Sequence, residues 1–413
     1  WRKNQDDAIL DLAASEVRFS GLVAPTGSGK SMTYMAYARL LGARRVCILT
    51  STKSLQDQLE KDFKELDVRG KSNYLCARGD VDAGTSVEDA PCQSGMYCEM
   101  RDNKGADGRI VPGSGCPYYD RLKEARKASV VVTNYAFWLS TNLYGQGLGQ
   151  FDLLVLDEAH AAPDELAGFL SFTVQAGECR SLLKLDLPGE GTDDWWGWLR
   201  EALDRLNHET SFVKGRGTRE ASERLKRLGR MARPIAQALN LGKEYWVAEK
   251  TVSGSRSSMR WDITDPAPFA DRYLFRNTPR VVLSSATVRE KTLRLIGIGK
   301  DESEMLEYPS NFPAARRPVY AVGGVPRLNH RTTEEELGVW RRRIDEIIGG
   351  RLDRRGIVHT VSFRRAKEIE AASEHRGIMH LHGSGSRELQ EGIGRYLRSK
   401  PAVLVSPSAT TGI

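Results

Sequence analysis

The chain has 413 residues, 40% of them hydrophobic and 28% charged, which suits a large globular protein of two to four domains. No run of about 18 apolar residues occurs, so no membrane span is expected, and nothing at the N-terminus reads as a secretory signal. Six cysteines are too few for a disulfide scaffold of this size, and a net charge of +7 with a pI of about 9.0 suits a polyanionic partner.

Residues 1–70 alternate strand and helix patterns. The apolar run Phe19 to Ala24 leads into Ala24-Pro25-Thr26-Gly27-Ser28-Gly29-Lys30-Ser31, and a helix-like run follows, Met32 to Leu41. The spacing is G-x-x-x-x-G-K-S with Ala24 in the first glycine's place, and strand–loop–helix is the context a phosphate-binding loop requires. Backbone N–H groups over Thr26, Gly27, Ser28 and Gly29 would face phosphates, aided by the helix N-terminus. Lys30 would reach the outer phosphates and the Ser31 hydroxyl would sit on Mg²⁺. A strand is expected over Arg44 to Ser51. A helix over Thr52 to Leu66 places Leu55, Leu59, Phe63 and Leu66 on one face.

Residues 71–117 break the pattern, being rich in Gly, Asp, Ser and Cys without a convincing period. A structureless loop of that length needs its own organisation. Cys76, Cys92, Cys98 and Cys116 fall within 41 residues and could supply it by binding a metal. Four thiolates hold either an iron–sulfur cluster or a tetrahedral Zn²⁺. Separations of 16, 6 and 18 residues lack the C-x₂-C pairs usual for structural zinc. Cys47 and Cys179 read as unligated thiols.

The α/β pattern resumes with a helix from Tyr118 through Ala128 and a strand over Val130–Thr133. Phe151 to Leu156 is a near-continuous apolar strand of the kind buried in parallel sheets. It delivers Asp157-Glu158-Ala159-His160 to its carboxyl end, where open α/β sheets bind ligands. Asp157 would hold Mg²⁺ and Glu158 would orient or deprotonate the attacking water. Residues 163–268 read as helical and polar, with Trp195, Trp196, Trp198, Tyr245, Trp246 and Trp261. The tryptophans read first as the core of a small helical domain and second as stacking platforms for bases. From Arg200 to Arg233, ten Lys/Arg stand against five Asp/Glu, most simply a solvated helix face and otherwise a set of phosphate contacts. Arg280 to Leu283 is a further core strand, ending in Ser284-Ser285-Ala286-Thr287.

A second α/β unit starts near Tyr308. Its expected strands are Gly356–Thr360, Ile378–Leu381 and Ala402–Val405, and its helices Arg341–Ile348, Arg365–Ala372 and Glu388–Leu397. His359 and His382 sit by strands and read as ordinary packed or surface histidines.

The order Ala-x-Thr-Gly-x-Gly-Lys-Ser, Asp-Glu-Ala-His, Ser-Ala-Thr resembles that of superfamily 2 helicases. Thr50-Ser51-Thr52-Lys53-Ser54-Leu55-Gln56-Asp57-Gln58 resembles the family's motif Ia, and Lys53 is a candidate phosphate contact. Arg2-Lys3-Asn4-Gln5 resembles its R-x-x-Q, in which Arg2 and Gln5 would read adenine. Val131-Val132-Thr133-Asn134-Tyr135 resembles the V-x-x-N-Y that precedes the DEAH box. Four cysteines before that box, and an insertion between it and Ser285-Ala286-Thr287, give the layout of the DinG/XPD-type iron–sulfur helicases. The resemblance covers essentially the whole chain.

The resemblance implies an α/β fold of two RecA-like lobes with ATP between them. Residues 1–70, 118–162 and 269–307 would form lobe 1, with the iron–sulfur insertion at 71–117 and a helical, arch-like insertion at 163–268; 308–413 would form an incomplete lobe 2. It implies a [4Fe–4S] cluster on Cys76, Cys92, Cys98 and Cys116, with zinc as the alternative. Lys30, Asp157 and Glu158 would carry the chemistry, and His160 and Thr287 would couple it to movement. The expected activity is ATP-driven translocation on single-stranded DNA, 5′ to 3′ by resemblance, with unwinding of tailed duplexes. The alternatives are a DNA-stimulated translocase that remodels protein–DNA complexes and a non-enzymatic DNA-binding subunit of a larger assembly. RNA is a lesser track. A protein partner could dock on the helical insertion, and the expected location is the cytoplasm, or the nucleus of a eukaryote. The chain starts at Trp1 rather than Met and ends at Ile413, inside or just before the fifth motif. It is therefore expected to be C-terminally incomplete, without the family's closing arginine-rich motif.

Overall fold

The computed structural model describes residues 1–51, 53–94, 96–104, 110–112, 115–144, 147–189, 194–214, 219–310, 312–316, 318–329 and 331–407. Two compact units emerge, one of Trp1–Ser51 with Leu59–Asn311, the other of Phe312–Ile413 with the short stretch Thr52–Gln58. The Ala409-Thr410-Thr411-Gly412 segment and Thr52 lie outside the described residues.

The first unit is built on a seven-stranded sheet in the order Ser303–Glu307, Phe19–Val23, Arg280–Ser285, Leu153–Asp157, Val46–Thr50, Val130–Asn134, Leu66–Asp67. Every neighbouring pair in it is parallel. Strand side chains alternate between faces, and both faces are covered. On one, Leu153, Val155, Val46, Ile48, Leu22 and Val282 pack with Tyr34, Met35 and Leu12 of the helices Lys30–Leu40 and Gln5–Ala14. On the other, Leu154, Leu156, Cys47, Leu49, Val281 and Leu283 pack with Trp138 and Leu139 of the helix Tyr135–Tyr144. Burial on both faces is why these strands read as unbroken apolar runs. It also pushes the Cys47 thiol far above its ordinary range, so it stays a neutral core residue.

Within 71–117 the described residues form 3₁₀ turns at Lys71–Asn73 and Pro91–Ser94 and an antiparallel pair, Asp102–Lys104 with Ile110–Pro112. The stretch 163–268 departs from the helical expectation. Alongside the helices Ala162–Leu170, Ala176–Leu183, Trp195–Val213 and Arg219–Leu241 it holds a three-stranded antiparallel sheet: Phe172–Gln175, Arg256–Ile263, Trp246–Ser253. The reason is a period of two: Met259, Trp261 and Ile263 are buried while Arg260 is exposed. Trp261 is the hub. Its ring stacks on Phe172 at 5.0 Å and on Trp198 at 5.6 Å, and the Trp198 indole N–H donates to the Asp186 carbonyl at 2.7 Å. Trp198 is thus core, while Trp195 and Trp196 are half-buried.

Part of the basic run is internally matched. Arg205 pairs with Glu201 at 2.6 Å, Arg227 with Glu178 at 3.5 Å, and Arg224 with Glu209. Residues 215–218 of the run lie outside the described residues. Lys53 is exposed.

The second unit has a parallel sheet in the order Arg355–His359, Ala402–Ser406, Met379–His380, with helices Glu334–Gly349, Phe363–Ala372 and Ser386–Arg398. Ile348, Ala366, Ile369, Met379, Val403 and Val405 form one of its cores. His382 is locked in it, with hydrogen bonds to Ser406 Oγ at 2.7 Å and the Gly383 carbonyl at 2.6 Å. Among the described residues no helix is long and apolar enough to cross a membrane.

Candidate nucleotide site

Strand order brings three distant segments together. The strand Arg280–Ser285 lies between Phe19–Val23, which feeds the glycine loop, and Leu153–Asp157, which ends in the paired acids. The loop starts as a continuation of the sheet, the Ala24 N–H donating to the Ser285 carbonyl at 3.2 Å. Ala24 is not among the residues with positive φ, so a Cβ is tolerated where the usual motif has glycine. Gly29 is different. Its φ is +86°, which strains any side chain, and a Cβ would also displace Gln5 Nε2, 2.2 Å away, from its bond to the Gly29 carbonyl. The helix Lys30–Leu40 begins directly after it with no side chain capping its first turn. Its N-terminal N–H groups therefore remain available to an anion.

Lys30 lies back on the loop, its ammonium donating to the Ala24 carbonyl at 3.1 Å and the Pro25 carbonyl at 3.5 Å. Asn4, Gln5, Ser28, Lys30, Thr33 and Tyr308 line a small cleft beside it. The Arg2 guanidinium donates to the Gly27 carbonyl, and Gln5 Nε2 to the Gly29 carbonyl at 3.1 Å. The R-x-x-Q segment thus braces the loop, and Gln5 both lines the cleft and holds the Gly29 carbonyl. Thr26 and Gly27 are exposed, while Ser28, Gly29, Lys30 and Ser31 are half-buried.

Asp157 is 7% exposed. Burial first, and the Glu158 carboxylate second, push its carboxyl up to about 6, while Lys30 pulls the other way. The Tyr135 hydroxyl donates to its backbone carbonyl at 3.2 Å, a role for the tyrosine of V-x-x-N-Y that sequence alone did not assign. Glu158 sits in the left-handed region, φ 52°, ψ 47°, unusual for a residue with a side chain. Strain of this kind persists where surroundings over-determine it and gathers at functional sites. His160 Nδ1 lies 3.3 Å from Glu158 Oε2 and 2.9 Å from Ser285 Oγ. Ser285 Oγ in turn accepts from the Thr287 N–H at 3.1 Å. One polar chain therefore runs Glu158–His160–Ser285–Thr287, joining the two motifs.

The cysteines gather in part. Cys76, Cys92 and Cys98 share a small cluster with Ala90 and Met100, and Met100 also touches the core that holds Cys116. None of the four is in a disulfide. Gln93 Nε2 donates to Cys92 Sγ at 3.4 Å, Arg101 to the Cys92 carbonyl at 2.6 Å, and the Lys71 ammonium lies close enough to Cys92 to feel its charge. Three of the thiols are buried and Cys76 half-buried; burial pushes the Cys92 thiol up while Arg101 offsets part of this, so the cations beside the group favour its thiolates as donors. Among the described residues, no three or more His, Cys, Asp or Glu side chains are arranged as a metal site. Cys179, outside this group, is buried, and its thiol is pushed up to about 11.

A family model described as "Type III restriction enzyme, res subunit" matches residues 1–176. The ATP-dependent DNA helicase YoaA of Escherichia coli (strain K12) is 26% identical, over 39% of this chain and 33% of that protein. The probable ATP-dependent helicase MJ0942 of Methanocaldococcus jannaschii is 26% identical, over 33% of this chain and 24% of its own length. The chain spans about a third or less of each of these relatives. Among solved structures, one titled "XPD_Helicase" covers 98% of this chain and 79% of its own, with a TM-score of 0.54 at 15% identity. The S. tokodaii Xpd4 structure gives 0.51 at 12% identity, over 98% of this chain and 80% of its own. At such identities the likeness speaks for the fold: an α/β architecture of two RecA-like lobes.

Proposed function

We propose that this chain, a DinG/XPD-type superfamily 2 helicase in fold and motif order, hydrolyses ATP to move along single-stranded DNA and part the duplex ahead of it, travelling 5′ to 3′. The observation that carries the reading is the convergence of Lys30, Asp157 and the Glu158–His160–Ser285–Thr287 chain at one end of one sheet. The loop N–H groups and Lys30 bind the phosphates. Ser31 and Asp157 would hold Mg²⁺, which would neutralise phosphate charge. Glu158 takes the proton of the attacking water. The Glu158–His160 contact reports the state of that carboxylate to Ser285 and Thr287, and so to the segment that moves the strand. Arg2 and Gln5 act as braces of the loop that yield to adenine when nucleotide enters.

Cys76, Cys92, Cys98 and Cys116 would hold a [4Fe–4S] cluster, which would tie their segment together; zinc is the competing occupant. The lobe boundaries at 70, 118, 162, 269 and 308 follow from this assignment, as does DNA as partner. The positive net charge of +7 favours that track electrostatically.

The test is strand separation by the full-length protein with Mg²⁺–ATP on duplexes tailed at the 5′ or the 3′ end. Unwinding of the 5′-tailed substrate alone is expected. Unwinding of the 3′-tailed one alone would reverse the polarity, and DNA-stimulated hydrolysis without unwinding would favour the remodelling translocase. Cys98→Ser is expected to abolish the visible absorbance of the cluster and its iron content. Persistence of iron at wild-type stoichiometry would remove Cys98 from the ligand set.

A further inference from the structure

Three buried hydroxyls around the nucleotide site, Ser28 Oγ, Tyr34 Oη and Ser284 Oγ, have no hydrogen-bond partner. A buried polar group is ordinarily satisfied, so such a cluster needs an explanation. Ser28 belongs to the phosphate loop, where a bound nucleotide would meet it. Tyr34 and Ser284 are not part of any phosphate contact, and they share one neighbour.

Sheet geometry makes that neighbour Asp157. In the parallel ladder Ser284 lies directly beside Asp157. Strand alternation puts Asp157 on the face of Leu153 and Val155, and Ser284 on the face of Val282. Those residues pack in the same core as Tyr34. Tyr34 is one turn beyond Lys30 and Ser31 on the helix Lys30–Leu40, 0% exposed, with the Ser31 hydroxyl and the Asp157 carboxyl both within hydrogen-bonding reach of its hydroxyl. Ser284, also 0% exposed, is likewise turned to the Asp157 carboxyl. Neither closes a hydrogen bond of good geometry.

We propose that Tyr34 and Ser284 are positioning residues for Asp157: both hydroxyls donate to its carboxylate when it holds the cation, fixing which oxygen faces Mg²⁺. The inference rests on the assignment of Ser31 and Asp157 to Mg²⁺. Its chemistry is that of outer-shell donors to a ligating carboxylate, whose loss typically costs about 10–100-fold in metal affinity.

The experiment titrates Mg²⁺ into wild type, Tyr34→Phe and Ser284→Ala at fixed fluorescent ATP analogue, and reads the cation midpoint. Thermal midpoints are taken in EDTA. Each variant is expected to raise the Mg²⁺ midpoint about tenfold, with its EDTA thermal midpoint equal to wild type or higher, because each deletes an unsatisfied hydroxyl. Unchanged Mg²⁺ midpoints in both variants overturn the proposal. So does a fall in the EDTA thermal midpoint with no change in cation dependence, which would make the hydroxyls ordinary packing groups. If wild type binds the analogue with no dependence on Mg²⁺, the underlying cation assignment fails, and this inference with it.

Discussion

Lys30→Ala is expected to lower DNA-stimulated ATP hydrolysis by at least about 100-fold, the scale seen when one preorganised charge donor is removed from a transition state. Single-strand binding should remain near wild type. The Lys30 ammonium rests on the Ala24 and Pro25 carbonyls, so phosphate oxygens replace two weak acceptors with charged ones. The methyl left by alanine cannot make that exchange. Nor does it disturb the core, since Lys30 is only half-buried and its partners are backbone carbonyls. Thermal midpoints within a degree or two of wild type separate loss of chemistry from loss of fold. The decisive measurement is phosphate release against DNA concentration. A variant hydrolysing ATP at a third of the wild-type rate or better would remove Lys30 from the catalytic set.

Asp157→Asn should also abolish hydrolysis, yet make the Mg²⁺-free protein more stable at pH 8. The sign follows from the raised carboxyl. Its pKa in the fold is about 6 against an ordinary 3.8, so the folded state binds the proton more tightly than the unfolded chain. Stability from this group is fully present below pH ~4 and is lost as pH rises towards ~6. Above that the ionised carboxylate costs about 3 kcal/mol, since each tenfold change in proton affinity is worth about 1.4 kcal/mol. Asparagine has the same shape and no charge. The variant should melt higher than wild type in EDTA at pH 8, and the gap should close as pH falls to 4. Equal midpoints across that range would mean that Lys30 already neutralises the carboxylate. On the proposed role, the wild-type residue would be kept for the cation at the expense of the empty fold's stability, as is common at functional sites.

What could be read in advance was whatever a short segment encodes by itself. The loop Ala24–Ser31 and the acids after Leu156 carry their chemistry in consecutive residues, and doubly buried strands such as Leu153–Asp157 are visible as apolar runs. The three-stranded sheet within 163–268 was not read. Phe172–Gln175 has only four residues, and the hairpin of Trp246–Ser253 with Arg256–Ile263 alternates apolar with Lys, Arg and Ser. Its cue was there in the period of two and the turn at Gly254, whose φ is +59°. The edge strand Ser303–Glu307 was missed for a related reason, being half-exposed and polar. Tyr34, Ser284 and the hydrogen bond of Tyr135 escaped because their roles come from strand order, which sets residues far apart in the chain side by side.

The core on the Trp138 face of the large sheet does not stop at the sheet. Phe19 and Leu154 belong to the same contiguous cluster as Cys116, Trp198, Leu228 and Trp261, which lie in or beside the two insertions. The segments 71–117 and 163–268 are therefore not cassettes clipped onto an independent sheet unit. A shared core predicts that these segments melt together with the sheet, and that a cavity opened at Trp261 lowers the stability of the strand that carries the paired acids. A lesion at Trp261 is thus expected to act as a folding defect of the large-sheet unit itself, however far it lies from the Lys30 loop.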